Sequence, residues 1–195
     1  MTRLVARLLA GLFVVGVALG LWVSSEHERE RRHARRPEIV VNQLLRMAEI
    51  RLDDTIYDLE CGDGAVVITA AARFGVHASC FDIYPQRLAE ARERARSAGV
   101  DGLITFREQF WETVDVAPAT VVILWLTNPT GHSANYKLCG QLTRELRPGA
   151  RIVAYYASLG DWRPLTAVSL RPSPADPVGI AKLWIADGRV RTCLE

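Results

Sequence analysis

The amino-acid sequence predicts an α/β protein with a doubly wound, mostly parallel, seven-stranded sheet. After Pro37, short apolar segments alternate with longer segments whose apolar residues recur every three or four positions. That alternation is typical of repeated βα units. Ala119–Leu126 is a continuous apolar run between turn residues, which is the pattern of a central parallel strand buried on both faces.

Turn and cap residues delimit the predicted elements. Pro37 can open a first helix, and Gly75 and Gly99 can end the next two. The helices are predicted at 37–48, 65–74, 85–98 and 133–146, and the first five strands at 55–59, 77–82, 103–107, 119–126 and 150–156. The C-terminal part is expected to add two strands, from a segment at 165–170 and a hairpin around Asp187-Gly188.

Positive charge is concentrated at the N-terminus. Residues 1–37 contain seven Arg and three Glu, whereas residues 38–195 contain 17 Lys and Arg against 19 Asp and Glu. A globular part with a small negative balance lacks the basic surface that binding to a phosphate backbone requires. We therefore expect no nucleic-acid partner.

The N-terminal segment resembles a membrane anchor. Leu8–Val23 is an unbroken apolar run of 16 residues. A transmembrane helix needs roughly 17–25 residues, a length that is reached if Arg7 extends its side chain to the interface. We predict a transmembrane helix within a membrane anchor at 1–24, a charged linker at 25–37 that contacts anionic lipid, and a globular domain at 38–195.

The arginines around this run predict its orientation. Two precede the run and five lie between Arg29 and Arg36, so the positive-inside rule places the globular domain on the cytoplasmic side. The alternative is a cleaved signal peptide, for which Ala18-Leu19-Gly20 is a poor cleavage site.

The four cysteines form no C-x-x-C pair, so no metal site is expected. The size of the chain and the spacing of its cysteines are also unlike a disulfide framework. We predict that Cys61, Cys80, Cys139 and Cys193 are buried free thiols in a reducing compartment.

A nucleoside-binding pattern follows the first strand. Gly62 and Gly64 allow a sharp turn into a helix, whose first N–H groups are free for a ligand. Asp82 ends the second strand, 18 residues beyond Gly64, where an acidic residue can hold ribose hydroxyls. Val67 stands where a nicotinamide dinucleotide site has its third glycine or an alanine, which disfavours that cofactor.

The residues DLECGDG (58–64) and FDIYP (81–85) are similar to motif I and the acidic motif II of class I S-adenosylmethionine (SAM) dependent methyltransferases. The chain most resembles the branch that includes the ATP synthase c-subunit lysine methyltransferases and their small bacterial relatives. This resemblance extends from about Val40 to Trp162 and includes ATVVILWL, LRPGARIVAYY and Gly160–Trp162.

The resemblance implies a Rossmann-like methyltransferase fold, SAM as the cofactor, no metal, and a protein lysine near the membrane as the substrate. It also implies that the cofactor contacts a set of residues at the ends of the first three strands. These are Asp58, Glu60, Cys61, Gly62, Asp63, Gly64, Asp82, Ile83, Gln109 and Phe110.

The chain departs from the family pattern at two positions of that set. Glu60 replaces the first glycine of motif I, where a positive φ would strain it. Gln109 or Phe110 stands where the family has an aspartate for the adenine amine, and Gln109 can still accept a hydrogen bond. These departures leave open an alternative, a non-enzymatic relative that acts as an anchored binding or scaffold protein.

Asn128-Pro129 follows the fourth strand and loosely resembles the N-P-P-Y/F motif of amino-group methyltransferases. The resemblance makes Asn128 the candidate catalytic residue. An ordinary turn that begins with Asn-Pro explains the same two residues without any function.

Overall fold

The computed structural model describes residues 35–125, 132–191 and 193. For residues 132–135 it describes only the backbone. The predicted membrane run and Asn128 lie outside the described residues. No helix among the described residues is long and apolar enough to cross a membrane.

The described residues form a doubly wound α/β domain, as the sequence predicts. Its helices are α1 (Glu38–Ala48), α2 (Ala65–Phe74), α3 (Pro85–Ser97) and α4 (His132–Glu145), with short 3-10 turns at Asp101–Leu103 and Trp111–Thr113. Its strands are β1 (Thr55–Asp58), β2 (His77–Asp82), β3 (Ile104–Glu108), β4 (Val121–Trp125), β5 (Arg151–Tyr155), β6 (Thr166–Leu170) and β7 (Gly179–Ile185).

The seven strands form one mixed sheet in the order β3-β2-β1-β4-β5-β7-β6. Strands β1 to β5 are parallel, and β7 runs antiparallel to both β5 and β6. Chain order reverses between β1 and β4, so the crevice at the carboxyl ends of these strands is where such sheets bind ligands. Strand β4 is buried at all five positions, which confirms its prediction as a central strand.

The two faces of the sheet are covered by separate apolar clusters. One contains the inward residues of α1, α2 and α3, such as Leu44, Val67 and Leu88. The other contains Leu138 and Leu142 of α4. This second cluster also includes the buried Trp184 of β7.

Two expectations are wrong. The turn at Asp187-Gly188 does not form the last hairpin, because β6 pairs with β7 before it and the Asp187 carboxylate binds Arg191 instead. The cysteines are not free: Cys61 is bonded to Cys80 and Cys139 to Cys193. Cys61 lies in the turn after β1 and Cys80 lies on β2; their Cα atoms are 5.2 Å apart, a separation suited to a disulfide.

Candidate active site

The carboxyl ends of β1, β2 and β3 bring most of the predicted site residues together. Two groups can be distinguished. The inner pocket consists of Arg36, Asp58 and Glu60 beside the Gly62–Gly64 turn, and the outer shelf consists of Asp82, Ile83, Gln109 and Phe110.

The glycine turn has the backbone that the sequence predicts. Gly62 and Gly64 have φ of +57° and +73°, which glycine adopts without the steric cost of a Cβ. A Cβ at Gly64 would also lie 3.0 Å from the Cβ of Ala91, so the glycine permits the close approach of α3. The turn therefore leaves bare main chain facing the crevice at Gly62.

Asp63 stabilises this turn through contacts with α2 and α3. Its carboxylate forms an ion pair with Arg94 of α3 and accepts a hydrogen bond from the N–H of Ala65 at 3.2 Å. The Asp63 carbonyl also accepts from Arg94 at 2.6 Å. Cys61, fully buried, joins the turn to β2 through its disulfide with Cys80. Both residues therefore hold the shape of the turn, and their contact with a cofactor stays a prediction.

The inner pocket contains two carboxyl groups, one fully buried and one half-buried. Asp58 is completely buried, and its Oδ1 has no hydrogen-bond partner among the residues that the structure describes. Burial raises the pKa of Asp58, although the guanidinium of Arg36, 2.8 Å from Oδ2, opposes that shift. A buried acceptor without a donor costs free energy, so this atom is suited to a ligand with N–H groups.

Glu60 has an unstrained backbone and a raised pKa. The described non-glycine residues with positive φ are Glu49, Tyr156 and Cys193, so the expected strain at Glu60 is absent. Burial raises the pKa of Glu60 to about 7; Arg36 opposes this shift, while Asp82 and Asp58 add to it. The substitution of the first motif glycine therefore changes the charge of the pocket rather than the path of the backbone.

Arg36 is the residue that sequence reasoning missed. Its side chain is only 7% exposed, it bonds to Asp58 and to the carbonyl of Glu60, and its guanidinium lies 4.8 Å from the centre of the Trp125 ring. The prediction counted it among the lipid-facing arginines of the linker. The sequence does contain one indication of such a residue, because two acidic residues at the end of a buried strand require a nearby cation.

The outer shelf is more open and largely neutral. Asp82 is buried and accepts hydrogen bonds from the N–H groups of Gly62 (3.0 Å) and Tyr84 (2.9 Å), one on each oxygen. The guanidinium of Arg87 also pairs with Oδ2 at 3.5 Å. Since a carboxylate oxygen has two acceptor positions, Oδ1 keeps one for a hydroxyl group. Ile83 and Phe110 are 47% and 42% exposed, so they offer apolar surface to a ring.

Gln109 is fixed by two contacts. Its backbone N–H donates to the carbonyl of Asp82 at 3.1 Å, which ties β3 to β2. Its side-chain Nε2 donates to the carbonyl of Thr113 at 2.8 Å. Because a carbonyl accepts only from the nitrogen of an amide, the orientation of the side chain is settled, and Oε1 is the atom that can accept from an amine.

Comparison with known proteins identifies the family. A model of the ANTKMT methyltransferase domain matches residues 58–166. A protein-lysine N-methyltransferase of Saccharolobus islandicus (strain REY15A) is 34% identical over 135 residues, which cover 69% of this chain and 81% of that protein.

Solved structures of methyltransferases are also similar to this chain. An RNA methyltransferase from Salinibacter ruber, in complex with S-adenosyl-L-homocysteine, is 32% identical, with a TM-score of 0.73 over 83% of this chain and 99% of that one. TrmN from Thermus thermophilus, at 17% identity and a TM-score of 0.61 over 76% of this chain and 48% of that one, shares the fold.

S-adenosyl-L-homocysteine is SAM without its methyl group, and the residues at this site fit SAM. The unpartnered Asp58 Oδ1 suits an ammonium group, Gly62 offers bare main chain, and Asp82 has an acceptor position for a ribose hydroxyl. The chain therefore belongs to the ANTKMT methyltransferase domain family, and it is a SAM-dependent methyltransferase.

Proposed function

We propose that this methyltransferase modifies the side-chain amine of a lysine in a protein. The observation that carries the proposal is the 34% identity, over 81% of its length, to a protein-lysine N-methyltransferase. A protein substrate also agrees with the charge of the globular part, where acidic residues exceed basic ones by two.

The residues of the two groups have distinct tasks in this proposal. Asp58 and Glu60 hold the methionine part of the cofactor, with the Gly62–Gly64 turn against it. Asp82 holds the ribose, and Ile83, Gln109 and Phe110 hold the adenine. When bound, the cofactor supplies an electrophilic methyl group on a sulfonium. The protein accelerates such an in-line displacement mainly by fixing the donor and the acceptor in position.

The acceptor amine must be neutral to attack. A lysine loses its proton more readily when it is desolvated, so a pocket that excludes water favours the reactive form. Trp125, Tyr155 and Tyr156 lie together at the ends of β4 and β5, with ring centres 5.0 Å and 4.4 Å apart. We place the incoming lysine over this aromatic group. Asn128, three residues after Trp125, remains the candidate to orient its amine.

The test is the transfer of a tritiated methyl group from SAM to the proteins of a membrane extract, followed by hydrolysis and identification of the labelled amino acid. We expect label in methyllysine, resistant to ribonuclease and removed by protease. Label in RNA would replace this proposal with the activity named for the Salinibacter ruber relative. No transfer to any fraction would favour the scaffold alternative.

We also propose that residues 1–24 anchor the domain to a membrane with the domain on the cytoplasmic side. The apolar run at Leu8–Val23 and the five arginines after it support this arrangement. The two disulfides weigh against it, because such bonds are typical of oxidising compartments. Protease added outside intact spheroplasts should leave the domain uncut, and digestion would place it on the opposite side.

A further inference from the structure

Arg36 lies on the face of the glycine turn that a cofactor would approach. Its NH1 donates to Asp58 Oδ2 at 2.8 Å, and its NH2 donates to the carbonyl of Glu60. A Cβ built on Gly62 would be 3.9 Å from both Nε and NH2 of Arg36, which is ordinary van der Waals contact. The guanidinium therefore covers the bare main chain of the turn and uses the acceptors beside it.

The α-ammonium group in the methionine part of the cofactor requires the same kind of contacts that Arg36 makes. An ammonium group carries one positive charge and donates three N–H bonds, so it needs carboxylate or carbonyl oxygens around it. The end of β1 offers such oxygens at Asp58 and at the carbonyl of Glu60. Arg36 brings the same charge and the same kind of donor to the same two residues.

We propose that Arg36 is a residue of the cofactor site that competes with the cofactor: its guanidinium holds the place of the α-ammonium group, and SAM binds only when Arg36 leaves. The inference rests on the placement of the methionine part beside Asp58 under the proposed function. The exchange is balanced in charge, because one cation replaces another beside the same carboxylate.

The chain around Arg36 allows the exchange. Pro37 has an extended backbone, with φ of −59° and ψ of 130°, and α1 begins at the next residue. Rotation of the Arg36 side chain, or of the backbone before Pro37, removes the guanidinium without moving α1. The position of the Arg36 side chain thus controls access to the inner pocket.

The experiment compares two ligands by calorimetry on the full chain. S-adenosyl-L-homocysteine retains the α-ammonium group, and 5′-methylthioadenosine lacks the whole amino-acid part. In Arg36→Ala we expect tighter binding of S-adenosyl-L-homocysteine, on the order of tenfold, since a competing closed state is removed. Binding of 5′-methylthioadenosine should not change. Arg35→Ala is the matched control, because the neighbouring Arg35 is exposed, and it should change neither affinity.

Arg36→Gln keeps a hydrogen-bond donor without the charge and should tighten binding in the same selective way, which covers the case that Arg36→Ala does not fold. Weaker binding of S-adenosyl-L-homocysteine in these variants would overturn the proposal and assign Arg36 to the cofactor's carboxylate. An equal change for both ligands, or no change, would also overturn it. A different methyl acceptor would leave these affinities as they are, so failure of the lysine assignment is a separate result.

Discussion

The inner pocket and the outer shelf of the site differ in the charge and the burial of their side chains. The inner pocket contains the buried Asp58 and the half-buried Glu60 and offsets both with Arg36, so its residues depend on one another. The outer shelf presents exposed apolar side chains and one buried carboxylate, Asp82, that accepts from two backbone N–H groups and pairs with Arg87.

This difference shows how each part tolerates its departure from the family pattern. A charged residue in place of the first motif glycine is accommodated because a cation lies beside it. A neutral amide in place of the adenine aspartate needs no such compensation. Substitutions in the inner pocket should therefore change stability and binding together, whereas substitutions of the exposed Ile83 and Phe110 on the outer shelf should change binding alone.

The largest effect is expected from Asp58→Ala. Loss of this carboxylate leaves the guanidinium of Arg36 buried without its partner, and breaking such a buried pair typically costs about 3–5 kcal/mol. Urea unfolding of the apo protein measures the loss. Glu38→Ala is a suitable control, because Glu38 pairs with Arg73 at the surface, 3.6 Å away, and exposed pairs contribute about 0–1 kcal/mol. A loss at Asp58 no larger than at Glu38 would contradict the view of an interdependent pocket.

The next effect concerns the pH dependence of stability. The pKa of Glu60 is raised to about 7 in the folded protein, so between its ordinary value and 7 the folded state binds more protons than the unfolded state. The stabilisation is therefore present at low pH and is lost as the pH rises through about 7. The difference is worth up to about 3 kcal/mol, since each pKa unit corresponds to about 1.4 kcal/mol.

Glu60→Gln isolates this contribution, because the amide has the same shape and does not titrate. Unfolding free energies measured from pH 5 to pH 8 should fall for the wild type relative to the variant. The pKa of Asp58 is also raised, and its charge adds to the shift at Glu60, so the difference between the two proteins measures Glu60 together with its coupling to Asp58. Parallel curves for the two proteins would show that Glu60 is ordinarily solvated.

Asp82→Ala tests the outer shelf. If Asp82 binds the ribose hydroxyls, SAM affinity should fall by about 1.5–3 kcal/mol, the usual contribution of hydrogen bonds to a charged group. The affinity for 5′-methylthioadenosine should fall equally, because both ligands carry the ribose. Asp58→Ala, in contrast, should leave the affinity for 5′-methylthioadenosine unchanged. A folded Asp82 variant with unchanged affinities would remove Asp82 from the site.

The sequence alone predicts the outer shelf better than the inner pocket. The spacing from Gly64 to Asp82 and the alternation of strands and helices are local patterns, and the structure confirms the doubly wound sheet that they predict. Arg36 could not be found in this way, since its partner Asp58 is 22 residues away and the arginine stands in a charged run. The Cys61–Cys80 bond was missed because adjacent strands bring together residues whose sequence spacing carries no signal.

The C-terminal hairpin was missed for a related reason. Asp187-Gly188 has the residues of a tight turn, but the Asp187 carboxylate accepts a hydrogen bond from Arg191 Nη1 at 2.8 Å, and the described residues after the turn form no strand. Strand β7 instead uses the earlier β6 as its partner, across a longer connection that contains Pro172 and Pro174. Turn propensity is local, whereas strand pairing is decided by the whole sheet.

The smallest effect is expected at Gln109, and it tests whether an amide can serve in place of the family's aspartate. The Nε2 atom is held by the carbonyl of Thr113, so Oε1 is the acceptor available to the adenine amine. S-inosyl-L-homocysteine carries a carbonyl in place of that amine, and the wild type should therefore bind it more weakly than S-adenosyl-L-homocysteine. Because Gln109 is half-buried and neutral, the preference should be modest, about 0.5–1.5 kcal/mol for a hydrogen bond between neutral groups.

Gln109→Ala should abolish this preference while leaving the affinity for the inosine ligand and the stability of the protein almost unchanged. Thr113→Val is the matched control for orientation. It removes the weaker 3.3 Å contact of Nε2 with the Thr113 hydroxyl but keeps the 2.8 Å bond to the backbone carbonyl, so the preference should survive. If Gln109→Ala keeps the full preference, the adenine amine is bound by another group, and the outer shelf contributes only the apolar surfaces of Ile83 and Phe110.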